Sequence, residues 1–178
     1  MKKNMIIFFL LTVFIATFLL PGCFEKNHQK NITNMTITSS AFENNGIIPD
    51  KYTCRGEDAS PPLNFSDIPE NAKSLVLIMY DPDAPMGTFT HWMLWDIPAN
   101  ITGFSEGEKI VYPQGTNDFG VTGYRGPCPP SGTHHYHFKV YALDTFLNLK
   151  PGIHREQLEN AMNGHVLAEG QLIGVYSG

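Results

Sequence analysis

His91, His134, His135 and His137, the aspartates Asp81 and Asp83, and Cys128 are the side chains of this sequence whose types and spacing could do chemistry. Three of the histidines stand in Gly123 to Asp144, GYRGPCPPSGTHHYHFKVYALD. His91 stands in Thr88 to Ile97, TFTHWMLWDI, and the acids in Asp81-Pro82-Asp83-Ala84-Pro85. Imidazoles and carboxylates in such numbers suit a metal site, acid–base or nucleophilic catalysis, or the capture of a small anion.

The elements that must position them narrow the choice. The run from Gly123 opens as a loop too rich in Gly and Pro for a helix or a central strand. It closes as a strand with Tyr136, Phe138, Val140 and Ala142 on one face and His137, Lys139, Tyr141 and Leu143 on the other. His134 falls on the apolar face with Tyr136 and points inward, while His135 joins His137 and Lys139 toward solvent. A Gly/Pro-rich loop thus feeds one inward pair, His134 and Tyr136, into the mouth of a sheet. Leu75 to Tyr80 is continuously apolar, as a strand buried on both faces should be, and it delivers Asp81 and Asp83 to its end. Thr88 to Ile97 has the aromatic composition of a further strand, with His91 alternating with Phe89, Met93 and Trp95.

This placement argues against a metal-dependent hydrolase built on the histidine cluster with Asp81 and Asp83, because His135 and His137 share a face that His134 and His91 do not. The His135-x-His137 pair is similar to that of cupins, but the acid a cupin needs a few residues later is absent. Cys128, His134 and Asp81 can be cast as nucleophile, base and orienter. Yet Cys128 is wedged between Pro127 and Pro129, and nothing in the sequence points to a depressed thiol pKa.

The rest of the chain is a frame for these residues. At 178 residues, 42% hydrophobic and 16% charged, it suits a single globular domain, and 16 Gly with 13 Pro fit a loop-rich β or α+β protein better than a helical bundle. Lys2 and Lys3 precede an apolar run from Met5 to Leu20 that ends at Leu20-Pro21-Gly22-Cys23, the pattern of a secretory leader. Cys23 after a Leu-x-Gly triplet resembles the lipobox of prokaryotic lipoproteins. The organisation expected is a leader over 1–22, a tether over 23–34 and one domain over 35–178, held outside the cell on the membrane by lipid at Cys23. Removing that leader takes away two lysines and no acid, so the net charge of −5 becomes still more negative. An acidic protein has no electrostatic reason to bind nucleic acid.

Met35, Ile37 and Ser39 alternate with polar residues as a first strand does. Arg155 to Glu169 reads as the helix, with Leu158, Ala161, Met162 and His165 on one face, His165 packed in the core and Gly170 as its stop. Leu172 to Tyr176 suits a closing strand. Outside the cytoplasm a disulfide between Cys54 and Cys128 is allowed, but sequence alone does not bring them within bonding distance. Asn-x-Ser/Thr triplets occur at Asn31, Asn34, Asn64 and Asn100.

The motifs Asp81-Pro82-Asp83-Ala84-Pro85, Thr90-His91-Trp92 and Gly126-Pro127-Cys128-Pro129-Pro130-Ser131-Gly132-Thr133-His134-His135-Tyr136, in this order and spacing, resemble the phosphatidylethanolamine-binding protein family in its prokaryotic Raf-kinase-inhibitor-like branch. Tyr52-Thr53-Cys54, Ser60-Pro61-Pro62-Leu63 and Tyr141-Ala142-Leu143-Asp144 are similar to that branch as well. The resemblance implies an antiparallel Greek-key β-sandwich with one or two short peripheral helices. It also implies one small pocket for phosphate, acetate or a phospholipid head group, with no cofactor and no metal. By position the pocket would use Asp81, His91, Gly126, Cys128, His134 and Tyr136, with Pro129 and Pro130 as wall and Asp83 and Trp92 in support. Gly126 would let backbone approach the ligand, His91, His134 and Tyr136 would donate to it, and Asp81 would orient a histidine, accept from a protonated phosphate oxygen or meet an ethanolamine ammonium. His135 stands where the family usually has Arg, and the loop from Gly132 to His134 is short against the animal branch. The function expected is non-enzymatic binding of phosphate, phosphoethanolamine or a similar anion. The alternative from the same resemblance is inhibition of a protease or kinase through a protein interface.

Overall fold

The computed structural model describes residues 32–178. The leader, Cys23, most of the tether and Asn31 lie outside the described residues.

Among the described residues, nine strands and one α-helix follow in order: β1 Thr33–Asn34, β2 Thr36–Thr38, β3 Gly46–Ile47, β4 Leu63–Ser66, β5 Ser74–Asp81, β6 Phe89–Pro98, β7 Gly103–Phe104, β8 Thr133–Leu143, α1 Arg155–Met162 and β9 Val166–Ser177. The large sheet runs β1-β9-β8-β5-β6 with β3 also on β9, and the small sheet runs β2-β4-β7. The long strands pair antiparallel, but β1 and β3 lie parallel to β9, so the large sheet is mixed at that edge.

Two apolar layers explain the sequence of β5. Leu75, Leu77 and Met79 face the small sheet and pack with Leu63, Phe65 and Phe104, together with Phe138, Val140 and Ala142 of β8. Val76 and Ile78 face the other way and pack with Leu158 and Met162 of α1. Both faces of the strand are covered, which is why it shows an unbroken apolar run instead of alternation. Each such buried aliphatic side chain contributes about 1.5–3 kcal/mol relative to exposure.

The helix is shorter than its sequence pattern. It ends at Met162, and the chain turns through Gly164 at φ 80° straight into β9, which starts at Val166 and takes in Gly170. Gly170 is no helix stop: a Cβ there would stand 2.6 Å from the Met35 carbonyl oxygen, so its smallness lets the two chains approach. His165 is not in the core either. It lies half exposed in the turn, with Nδ1 2.8 Å from Asp144 Oδ1.

Candidate functional site

The ends of β5, β6 and β8 converge at one edge of the large sheet, and the cavity there has a volume of about 350 Å³. Asp81, His91, Cys128, Pro129, Pro130, His134 and Tyr136 all line it. Asp81, the last residue of β5, is buried, as are His134 and Tyr136 on the inward face of β8.

His91 reaches this site through an irregularity. Strict alternation along β6 would place it with Met93 and Trp95, which pack on the helix side of the sheet. The register instead passes from Met79↔Trp92 to Tyr80↔Thr90, leaving His91 as an extra residue in β6. Such a bulge re-aims a side chain. The His91 ring comes to lie edge-on against Tyr136, with centroids 5.2 Å apart.

Both pocket histidines are held from behind. His91 Nδ1 lies 2.7 Å from the Arg125 carbonyl oxygen, and His134 Nδ1 lies 2.6 Å from Asp81 Oδ2. Those partners are acceptors, so each Nδ1 carries the proton, and Nε2 of each ring is left for the cavity. The other Asp81 oxygen accepts the Asp83 N–H at 2.8 Å. Burial pushes the His91 imidazole below its ordinary value, with the Arg125 carbonyl and the charge of Asp81 working against that. Burial, with the charge of Asp81 adding to it, pushes the Tyr136 phenol well above its usual range, so it stays a neutral O–H.

Asp83 supports the site from outside, accepting from the His135 N–H at 2.9 Å and pairing with its ring at 2.7 Å, which holds its carboxyl below the usual range. His137 stacks on Tyr80 and bonds Gln171 on the far side of β8. Among the described residues no three His, Cys, Asp or Glu side chains stand where one metal ion could be held. Trp92 lies behind the site, donating Nε1–H to Gln114 Oε1 at 3.0 Å and packing edge-on with Tyr124.

Gly126 joins two loops beside His91. Its N–H is taken by Asp58 Oδ1 at 2.7 Å, and a Cβ would stand 2.2 Å from the Tyr52 carbonyl oxygen. It packs two loops together and is not part of the cavity lining. The same clasp includes Tyr124 Oη–H to the Tyr52 carbonyl at 2.6 Å, Cys54 N–H to the Pro127 carbonyl at 3.1 Å and the Arg125–Asp58 ion pair at 3.2 Å. Cys54 and Cys128 are joined in a disulfide with Cα atoms 5.5 Å apart. A bridged sulfur is no nucleophile, so the Cys128–His134–Asp81 hydrolase is not what this site builds.

Much of the apolar wall, which includes Met86, Phe89 and Phe119, does not stand out from the residue pattern. Phe119 is placed by Asn117, a buried residue whose Oδ1 accepts from the Phe119 and Val121 N–H groups at 3.1 and 3.3 Å. Its Nδ2 donates to the His91 and Gly123 carbonyls at 3.2 and 3.0 Å. The Asn117-Asp118-Phe119-Gly120 run carries a turn signature, and that was the available signal.

The model of a family described as phosphatidylethanolamine-binding protein matches residues 38–177. A UPF0098 protein of Pyrococcus horikoshii is 51% identical over 94% of this chain and 88% of its own. A crystal structure of a phosphatidylethanolamine-binding protein homolog from Chlamydia trachomatis superposes with a TM-score of 0.79 at 44% identity, covering 82% of this chain and 99% of that one. Escherichia coli YbcL, described as a new member of the mammalian family, gives 0.76 at 31% identity with the same coverage.

Proposed function

The chain belongs to the phosphatidylethanolamine-binding protein family, and we propose that it is a non-enzymatic binding protein whose cavity takes a small oxyanion of the phosphate or phospholipid head-group kind. One observation supports this above others: two histidines from different strands, His91 and His134, each have Nδ1 committed to the protein and line one cavity with Nε2 to spare. The phenol of Tyr136, whose ring lies 5.2 Å from that of His91 and 6.4 Å from that of His134, is a neutral donor beside them, and the apolar wall gives room to whatever the oxyanion carries. The leader pattern and Cys23 support a lipid-tethered position outside the cell, where a Cys54–Cys128 bridge persists.

Titration calorimetry of the purified protein with inorganic phosphate and phosphoethanolamine at pH 6 tests the reading. Binding is expected in wild type and at least tenfold weakening in both His91→Ala and His134→Ala. Absence of binding in wild type, or affinity unmoved by both substitutions, overturns it.

A further inference from the structure

We propose that this cavity binds its oxyanion together with a proton, so that anion affinity is set by pH through the two histidine Nε2 atoms. This rests on the anion-pocket reading above and adds to it the charge state of the bound pair. In neutral His91 and neutral His134 the single ring proton sits on Nδ1, because the Arg125 carbonyl and the Asp81 carboxylate can only accept. Each Nε2 therefore offers a lone pair to the cavity. A lone pair facing a bare oxyanion repels it, and a proton between the two turns the contact into a charge-assisted hydrogen bond. That proton arrives either on the ligand, as a P–OH, or on the ring, as an imidazolium.

Nothing else around the cavity removes the need for it. Among the described residues no lysine or arginine lines the cavity. Two guanidiniums stand outside that lining: Arg125 pairs with Asp58 and lies over Phe119, and Arg55 lies over the Tyr176 ring. Around His134 stand Asp81 from β5, Tyr136 on its own strand, Tyr176 opposite it on β9, and the Asp83–His135 pair. Facing His91 are Asp81, Asp118 and Tyr136. These neighbours bring carboxylates, phenols and the His135 ring that Asp83 already holds, and a positive charge on His134 only cancels Asp81. Burial keeps His91 neutral into the acid side of its ordinary range, so its Nε2 is an acceptor at neutral pH.

Dimethyl phosphate isolates the effect, because it carries one negative charge throughout the working range and has no proton to bring. Titration calorimetry at pH 8 in buffers of different ionisation heat counts the protons taken up per anion bound. The expected result is uptake approaching one proton, with affinity falling about tenfold per pH unit above neutrality, the limit for one linked proton. Tight binding at pH 8 with no proton uptake overturns this inference and leaves the pocket reading standing. No binding of dimethyl phosphate or inorganic phosphate from pH 5.5 to 8.5 overturns both. A second arm separates sources of the same chemistry. Displacement of dimethyl phosphate by phosphatidylethanolamine vesicles assigns a membrane-held head group. Displacement by soluble glycerophosphoethanolamine alone assigns a free ester, and in each case the proton uptake is expected to persist.

Discussion

The Asp81 carboxylate gives its two oxygens different partners: Oδ2 meets His134 Nδ1 at 2.6 Å, and Oδ1 holds the Asp83 N–H at 2.8 Å. Because the second bond needs an acceptor, an asparagine at this position has one favourable orientation. Its carbonyl stays on the Asp83 N–H and its amide N–H faces the ring.

Asp81→Asn should therefore move the His134 proton from Nδ1 to Nε2 and turn that nitrogen into a donor toward the cavity. The fall in phosphate affinity between pH 6 and pH 8 is expected to shrink by about tenfold, one linked proton being worth that per pH unit. Calorimetric titration at the two pH values checks this, and an unchanged fall would contradict the tautomer argument.

His91 makes acid unfavourable for the fold. Its folded pKa lies below the ordinary 6.5, chiefly through burial. Between those two values the unfolded chain binds a proton that the folded chain refuses, so this contribution is fully present above 6.5 and declines as pH falls through the lowered value. His91→Phe, whose ring fits beside Phe89 and Phe119, is expected to lose part of the decline in urea midpoint between pH 7 and pH 5. Parallel declines in variant and wild type would contradict it.

The Cys54–Cys128 bridge spans a sequence separation of 74 residues. By the chain-entropy relation such a closure stabilises by up to about 4 kcal/mol. Urea unfolding with and without a dithiol reductant should show a loss of that order. An unmoved midpoint in protein proven to be reduced would show that the hydrogen-bonded clasp holds the two loops without the bridge.

Gly126→Ala drives a Cβ to within 2.2 Å of the Tyr52 carbonyl oxygen and 2.9 Å of Asp58 Oδ1, so the loops must part. Overpacking against backbone costs about 1–3 kcal/mol. Because the displaced loop also carries Cys128 and the Arg125 carbonyl behind His91, phosphate affinity should fall as well. Thermal unfolding and calorimetry on one sample check both, and a variant equal to wild type in each would show that the clasp is slack.

Parts of this site were legible because period-2 alternation survives in the sequence. His134, Tyr136 and Phe138 fall inward and His135 outward as β8 predicts, and the unbroken run of β5 marks a strand covered on both sides. Alternation puts His91 on an apolar face but on the wrong side of the sheet, since a bulge leaves no mark in the order of residue types. The helix is shorter than its pattern because Leu158, Met162 and His165 keep helical spacing past Met162, while Gly164 and the pairing of β9 with β8 end it. The disulfide and the role of Gly126 depend on two loops meeting through Tyr52, Asp58 and Tyr124, contacts between residues far apart in the chain.

The most direct measurement follows the imidazole nitrogens by NMR during a phosphate titration at pH 6. Saturable shifts at Nε2 of His91 and His134, with His137 and His165 unmoved, are the predicted result. Shifts confined to His137 or His165, or none at any ring under saturating phosphate, would place the anion elsewhere or nowhere and contradict the site.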